Sequence, residues 1–157
     1  MLVVGVAREY TQMQVAMCPI VREVDVYVAI GRARELAAVI GFDEIDRTRI
    51  EIVILELTRN ILAHAGKGEL LLEPVEESGR CGLAVEARDS GPGIPDIAMA
   101  MRDGYSTANT LGAGLPGVQR LMDSFEITSQ VGIGTRARAI KWLDQRRAKN
   151  RPGGRQS

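Results

Sequence analysis

Glycine is concentrated in one part of this chain. Eight of the 17 glycines lie between Gly91 and Gly134. Glycine makes up about 11% of the 157 residues, against an average of roughly 7% in proteins. Because glycine is used where the backbone takes a left-handed turn or approaches another group closely, this local excess predicts turns and close backbone approaches in the second half of the fold.

Hydrophobic periodicity predicts helices early in the chain and paired strands later. Residues 26–40 carry apolar side chains at helical spacing, with Asp25 before them as the expected N-cap and Gly41 after them. Asp43 is expected to cap a second helix that runs to about residue 65. A short helix at 115–122 and strands at 13–21, 69–75, 81–89, 125–131 and 135–143 complete the prediction. This order indicates an α+β fold in which a mixed, mostly antiparallel sheet is covered on one face by helices.

The composition excludes several classes of protein. With 20 basic and 20 acidic side chains the formal net charge is zero, which argues against a nucleic-acid partner. No apolar run approaches the roughly 18 residues of a membrane span. Two cysteines are too few for a disulfide framework, so we expect a protein of the reduced cytoplasm. One domain is predicted at 13–143, with an N-terminal extension at 1–12 and a basic, disordered tail at 144–157.

Two polar residues share one face of the second predicted helix. Glu56 and Asn60 are four residues apart, which places their side chains about 40° from each other around the helix axis. A solvated helix face would explain them, but they are surrounded by Ile, Val and Leu, and polar groups in such surroundings need partners. A ligand would provide them, because a carboxylate can act as a general base and an amide oxygen suits Mg²⁺.

A second candidate follows a predicted strand. The sequence Asp89-Ser90-Gly91-Pro92-Gly93 would form a tight turn unaided, which is the simplest explanation. Alternatively, Asp89 presents its carboxylate to a ligand, and the glycines let the backbone approach that ligand. An acceptor at this position could take a hydrogen bond from an exocyclic amine such as that of adenine.

Two further glycine motifs come later in the chain. The segment 112–117 fits the pattern G-x-G-x-x-G and opens a predicted helix, whose N-terminal N–H groups attract phosphate. Because the motif comes late, after an irregular loop, a dinucleotide-binding fold of the Rossmann type is excluded, and no P-loop motif is present. The segment 132–135, with the sequence GIGT, is most simply a hairpin turn.

The four motifs in this order resemble the Bergerat-fold ATPases, the superfamily of gyrase, Hsp90 and histidine kinases. They are E-x-x-x-N on a helix, D-x-G-x-G after a strand, G-x-G-x-x-G after a loop, and a final G-x-G-T. Within that superfamily the chain is similar to the small kinases of bacterial stress and sporulation pathways, above all to the RsbT-type switch kinases. This similarity is carried by ELTRN at 56–60, AGKG at 65–68, DSGPGIPD at 89–96, GAGLPGV at 112–118, RLMD at 120–123 and AIKW at 139–142.

The resemblance implies an ATP site in a Bergerat (GHKL-type) fold, with the loop 95–111 as its lid. Glu56 would be the general base, Asn60 the Mg²⁺ ligand, and Asp89 the acceptor for the adenine amine, assisted by the Thr135 hydroxyl. The remaining cofactor-binding positions would be Gly91 and Gly93 beside the adenine, and Gly112, Gly114, Leu115 and Gly117 around the phosphates. The cationic candidates near the phosphates are Arg59, Lys67 and Arg102.

The resemblance also implies a function. Such a kinase would phosphorylate serine or threonine on STAS-domain scaffold or antagonist proteins of a stressosome-type module in the bacterial cytoplasm. Once released, it would activate a PP2C-type phosphatase or another output enzyme. Two alternatives stay open: an anti-sigma factor with kinase activity that sequesters a sigma factor, and a non-catalytic binding module gated by ATP. Neither nucleic acid nor a membrane is expected as a partner.

Overall fold

The computed structural model describes residues 15–102 and 114–144. The strands are β1 (Ala16–Ile20), β2 (Gly68–Glu77), β3 (Arg80–Asp89), β4 (Ser124–Gln130) and β5 (Gly134–Trp142). The α-helices are α1 (Glu23–Ile40), α2 (Glu44–Asn60), α3 (Ile97–Ala100) and α4 (Gly114–Leu121), and a π-helical turn, Ile61–Ala65, extends α2. The predicted extension at 1–12, Gly112, most of the predicted lid and residues 145–157 of the predicted tail lie outside the described residues.

The five strands form one sheet in the order β1-β2-β3-β5-β4. All four strand pairs are antiparallel. The predicted α+β fold is therefore confirmed, but the sheet is antiparallel rather than mixed in the part of the chain that the structure describes. The turn between β2 and β3 is shorter than predicted, because Glu77 still pairs with Arg80 and leaves only Ser78 and Gly79 in the loop. Both of these residues have positive φ, as a type I′ hairpin turn requires.

Alternation along the strands gives the sheet two different faces. One face packs against α1 and α2, and its largest fully buried side chains include Ile20, Leu70, Leu72 and Leu83. Each such side chain contributes roughly 1.5–3 kcal/mol through burial. The opposite face carries charged residues at the alternate positions: Glu73, Glu86, Arg88, Arg136 and Arg138.

The start of α1 differs from the prediction. The helix begins at Glu23, with Arg22 as its N-cap, whereas Asp25 was expected to hold that place. Instead, the Asp25 carboxylate lies inside the first turn and accepts hydrogen bonds from the backbone N–H groups of Val21 and Arg22, both at 2.9 Å. An acidic residue three positions into a helix can satisfy the N-cap backbone in this way. These backbone hydrogen bonds hold the pKa of Asp25 below its ordinary value.

The ends of α1 and α2 otherwise follow the prediction. Gly41 takes the left-handed conformation after α1, with φ of 106°, and the Asp43 side chain caps α2 by accepting a hydrogen bond from the backbone N–H of Asp46 at 2.8 Å. The second helix also ends where expected, but its last turn is a wider π-helix, closed by a hydrogen bond from Gly66 N–H to Ile61 O. This turn carries the chain from Asn60 towards the start of β2.

A buried lysine holds α2 and α4 together at one end. Lys141 lies on β5 in the AIKW segment and is 9% exposed. Its ammonium group lies 3.5 Å from the Leu121 carbonyl oxygen and from Asp123 Oδ1, and 3.8 Å from Asp46 Oδ1. A cation at the C-terminus of a helix is stabilised by the helix dipole. Lys141 therefore fixes the end of α4 to the first turn of α2.

No helix among the described residues is long and apolar enough to cross a membrane. Both cysteines are free thiols: Cys18 is buried under α1, and Cys81 is half-buried on β3. Burial raises the pKa of each thiol, so both are protonated near neutral pH.

Candidate nucleotide-binding site

The candidate site centres on the last pair of residues in the β3–β5 ladder. Asp89 ends β3 and lies directly opposite Thr135 on β5. Alternate residues of a strand face the same side of the sheet. Because Val85 and Ala87 are buried beneath the helices, the Asp89 side chain also faces the helices. Asp89 Oδ1 accepts a hydrogen bond from Gly91 N–H at 2.9 Å, and Oδ2 accepts none from a described residue. The two residues predicted to bind adenine are therefore adjacent, with one carboxylate oxygen oriented and the other available.

The turn after Asp89 packs against the end of the helix that carries Asn60. A Cβ atom added at Gly91 would lie 2.6 Å from the Cβ of Ala65, the last residue of the π-helical turn. Real Cβ atoms do not approach so closely, so only glycine fits between the two segments. The contact therefore ties the D-x-G-x-G turn to the helical segment that follows the E-x-x-x-N motif.

The same turn is fixed to the last hairpin. Gly93 has a left-handed φ of 78°, and a Cβ atom there would lie 2.5 Å from the Gln130 carbonyl oxygen. Pro92 O accepts a hydrogen bond from Gly132 N–H at 2.9 Å. The Gly93 position and the G-x-G-T hairpin therefore form one unit, a contact that the sequence analysis did not predict.

Ser129 is a site residue that the sequence did not single out. Its hydroxyl accepts a hydrogen bond from Ile94 N–H at 2.7 Å and shares a hydrogen bond of 2.7 Å with the Thr135 hydroxyl. The available signal was weak: in the alternation of β4, Ser129 takes the inward position after Phe125 and Ile127. A polar side chain at a position that should face the core marks a hydrogen-bond network.

Glu56 and Asn60 lie on successive turns of α2, as predicted. Glu56 is 1% exposed, whereas Asn60 is half-buried at the end of the helix. A solvated face is therefore wrong for Glu56, which lies inside the protein among apolar neighbours. The contact between Ala65 and Gly91 joins the π-helical turn that follows Asn60 to the turn that follows Asp89.

The described part of the third motif forms the first turn of α4. Gly114 has φ of 70° and begins the helix, and Gly114, Leu115 and Gly117 are all buried. This helix packs against α2, so the helix with Glu56 and the helix with the glycines lie side by side. Gly112 lies outside the described residues.

An open groove of about 700 Å³ lies at the same end of the sheet. Its lining includes Asp89 and Thr135 together with the cations Lys67, Arg88 and Arg136. Of the cations predicted near the phosphates, Lys67 therefore lies with Asp89, whereas Arg59 and Arg102 do not line the groove. Glu56 and Asn60 do not line it either, because α2 covers the other face of the sheet.

The donor set near Asn60 suits a magnesium ion that arrives with a nucleotide. No cluster of three or more His, Cys, Asp or Glu side chains that could hold a metal exists among the described residues. Mg²⁺ needs no such cluster, because it usually keeps several waters and binds one or two protein oxygens together with substrate phosphates. One amide oxygen from Asn60 at the end of α2 fits that pattern.

Comparisons with known proteins identify the family of this chain. The histidine kinase-like ATPase domain family matches residues 22–141. The chain is 50% identical over 124 residues to the serine/threonine-protein kinase RsbT of Bacillus subtilis (strain 168), which covers 79% of this chain and 93% of that protein.

A solved structure supports the fold. The crystal structure of the RsbU and RsbW domains of a Mycobacterium tuberculosis protein matches 84% of this chain with a TM-score of 0.56 and 16% identity. This chain spans only 34% of that longer one, and the likeness concerns the fold alone. From the family match and the identity to RsbT, we conclude that the chain belongs to the histidine kinase-like ATPase domain family and, within it, is an ATP-dependent protein kinase of the RsbT type.

Proposed function

We propose that this kinase transfers the γ-phosphate of ATP to a serine or threonine of STAS-domain proteins in a stressosome-type module of the bacterial cytoplasm. Once released from them, it activates a PP2C-type phosphatase or another output enzyme. The 50% identity to the RsbT kinase over most of both chains supports the proposal. That identity is the observation that carries the proposal, and the contact of Gly91 with Ala65 supports the arrangement of its ATP site by joining the Asp89 turn to the helical segment that follows Asn60.

In this proposal, adenine is recognised at the end of β3. Asp89 Oδ2 accepts a hydrogen bond from the adenine amine, and the Thr135 hydroxyl assists. Ser129 positions that hydroxyl through their 2.7 Å hydrogen bond. Gly91 and Gly93 let the turn pack closely against Ala65 and the Gln130 backbone, which holds Asp89 in place at the proposed adenine site.

The phosphates are proposed to lie between α2 and α4. The N–H groups of Gly114, Leu115 and Gly117 lie in the first turn of α4, at the positive end of the helix dipole, which attracts phosphate. Gly112 is proposed to contribute from the preceding segment. Asn60 is proposed to bind Mg²⁺, which would neutralise charge on the phosphates when bound. Lys67 is proposed as an additional cation near the nucleotide, because it lines the groove at the Asp89 end of the sheet.

Glu56 is proposed as the general base. It would accept the proton of the acceptor hydroxyl while the oxygen–phosphorus bond forms and the bond from the γ-phosphorus to the bridging oxygen breaks, which releases ADP. Glu56 is 1% exposed, so the acceptor hydroxyl can reach it only when the protein substrate or the nucleotide displaces its neighbours. Catalytic hydrogen bonds often form only in the complex with substrate.

The proposal is tested by incubating the full chain with radiolabelled ATP and purified STAS-domain proteins from the same genome. We expect label on one STAS protein, and no label when its acceptor serine or threonine is replaced by alanine. Transfer to no STAS protein, together with stable binding of a sigma factor, would contradict the proposal and favour the anti-sigma alternative. ATP-dependent binding without any transfer would favour the non-catalytic module.

A further inference from the structure

Glu86 is buried on a sheet face that α1 and α2 do not cover. It lies between Val85 and Ala87, whose side chains face the helical layer, so its own side chain faces the opposite way. It is nevertheless only 1% exposed. Arginine side chains cover it: Arg88 and Arg136 bind its carboxylate, and Arg138 approaches it.

The carboxylate joins two strands at their ends. Arg88 Nε donates to Glu86 Oε2, and Arg136 donates to Oε1 through Nε at 2.8 Å and Nη2 at 2.6 Å. Arg88 on β3 and Arg136 on β5 lie directly opposite each other in the ladder. Like charges in such a pair destabilise a sheet, and Glu86 removes that cost by binding both guanidinium groups.

The next pair in the ladder is Asp89 opposite Thr135. The Arg88–Arg136 pair and the proposed adenine-binding pair are therefore consecutive residue pairs in the β3–β5 ladder. Their side chains lie on opposite faces of the sheet. Only one peptide unit on each strand separates Arg88 from Asp89 and Thr135 from Arg136. A change in the separation of the two arginines would therefore also change the distance between the Asp89 carboxylate and the Thr135 hydroxyl.

Glu86 is charged when it acts in this way. Burial raises the pKa of Glu86, but hydrogen bonds from Arg136 and Arg88 outweigh burial and hold the pKa below its ordinary value. The same contacts raise the pKa of Arg136.

We propose that Glu86 is a positioning residue for nucleotide selection: by clamping Arg88 to Arg136, it sets the spacing of Asp89 and Thr135 from the opposite face of the sheet. The inference rests on the proposed ATP site, and it assigns a role to a carboxylate that does not touch the nucleotide. It predicts that Glu86 affects the preference for ATP over GTP, a property that overall stability alone does not change.

The test compares two variants of the full chain by titration calorimetry with Mg-ATP and Mg-GTP. Glu86→Gln removes the charge that holds the arginine pair. Glu73→Gln is the matched control, because Glu73 binds Arg138 at 3.0 Å on the same face but lies opposite Ala84, away from the Asp89 end of β3. We expect Glu86→Gln to lose ATP affinity by about tenfold, the usual scale for a displaced hydrogen-bond partner, with little change for GTP. Glu73→Gln should retain the wild-type ratio.

A second variant keeps the test decisive if Glu86→Gln folds poorly. The double variant Glu86→Gln/Arg136→Gln also removes one of the two facing arginines, so Arg88 and Arg136 no longer repel each other. The ratio of ATP affinity to GTP affinity should then return towards the wild-type value. A folded Glu86→Gln with an unchanged ratio would overturn the inference while leaving the ATP site intact. A wild-type chain that binds neither nucleotide would instead overturn the proposed function on which the inference rests.

Discussion

Replacing Gly134 with alanine tests whether the close approach of β5 to β3 builds the candidate site. Gly134 has φ of 148°, a conformation that L side chains rarely adopt. A Cβ atom there would overlap the Asp89 carbonyl oxygen and would lie 2.9 Å from Ser90 Cα. Both neighbours are backbone atoms, so no flexible side chain can move aside, and the strand end that carries Asp89 must shift.

The same hairpin offers a matched control. Gly132 also has positive φ, at 80°, but a Cβ atom there meets nothing within 4 Å. Gly132→Ala should therefore lose only the strain of a left-handed alanine, about 1–2 kcal/mol of unfolding free energy. Gly134→Ala adds the cost of forcing an extra carbon into a packed site, about 1–3 kcal/mol, which gives a total loss of about 2–5 kcal/mol.

Urea denaturation measures both losses, provided that the slope with denaturant is unchanged between variants. Titration of the folded variants with Mg-ATP then measures the effect on the site. We expect Gly134→Ala to be the less stable variant and to bind ATP more weakly, with Gly132→Ala close to wild type in binding. Equal losses of stability in the two variants, or undiminished ATP affinity in Gly134→Ala, would refute the argument that this close approach positions Asp89.

The other predictions concern single side chains of the site and of the opposite sheet face. Asn60→Ala should lose the Mg²⁺-dependent part of ATP affinity, and calorimetry with and without Mg²⁺ checks this. Asp89→Asn should bind ATP less tightly by about 1–3 kcal/mol and should lose the preference for ATP over GTP, measured by competition. Glu56→Gln should bind Mg-ATP normally but transfer phosphate roughly 10²–10⁴-fold more slowly; transfer at the wild-type rate would exclude the general-base role. Because the folded pKa of Glu86 is lowered, its contribution to stability is present above the ordinary glutamate pKa and should disappear as pH falls through the folded pKa. Urea titrations between neutral and acidic pH should therefore show a smaller acid loss in Glu86→Gln than in wild type.

Local signals account for most of what the sequence predicted correctly. The caps at Asp43 and Gly41, the helix of Glu56 and Asn60, and the strand that ends at Asp89 each depend on residues close together in the chain. The prediction of Asp25 as the N-cap of α1 was wrong for a related reason. Arg22 has no recognisable capping side chain, and the capping contact comes from Asp25 three residues later. An acidic residue in the first turn gives the same sequence signal in either role.

Features that depend on strand register could not be predicted from the sequence. Strands were recognisable, but which residue of β3 lies opposite which residue of β5 is not encoded in either segment alone. The contact of Ser129 with Thr135 and the burial of Glu86 under arginines both follow from that register. The sequence of acidic and basic residues on the opposite face is typical of an ordinary charged surface. Nothing in their order indicates that the Glu86 carboxylate is buried.

The register of β3 and β5 is itself held at the site from both faces of the sheet. A slip of one residue would turn Asp89 and Thr135 away from the helices and move the Arg88–Arg136 pair towards the core. On one side, Gly134 allows a backbone contact with Asp89 that any other residue would prevent. On the other side, the Glu86 carboxylate binds both arginines only when they are paired as observed. The positions of Asp89 and Thr135 thus depend on Gly134 and on the Glu86 carboxylate, neither of which is proposed to contact the nucleotide. Substitutions at Gly134 or Glu86 should therefore alter nucleotide recognition even though Asp89 and Thr135 are unchanged.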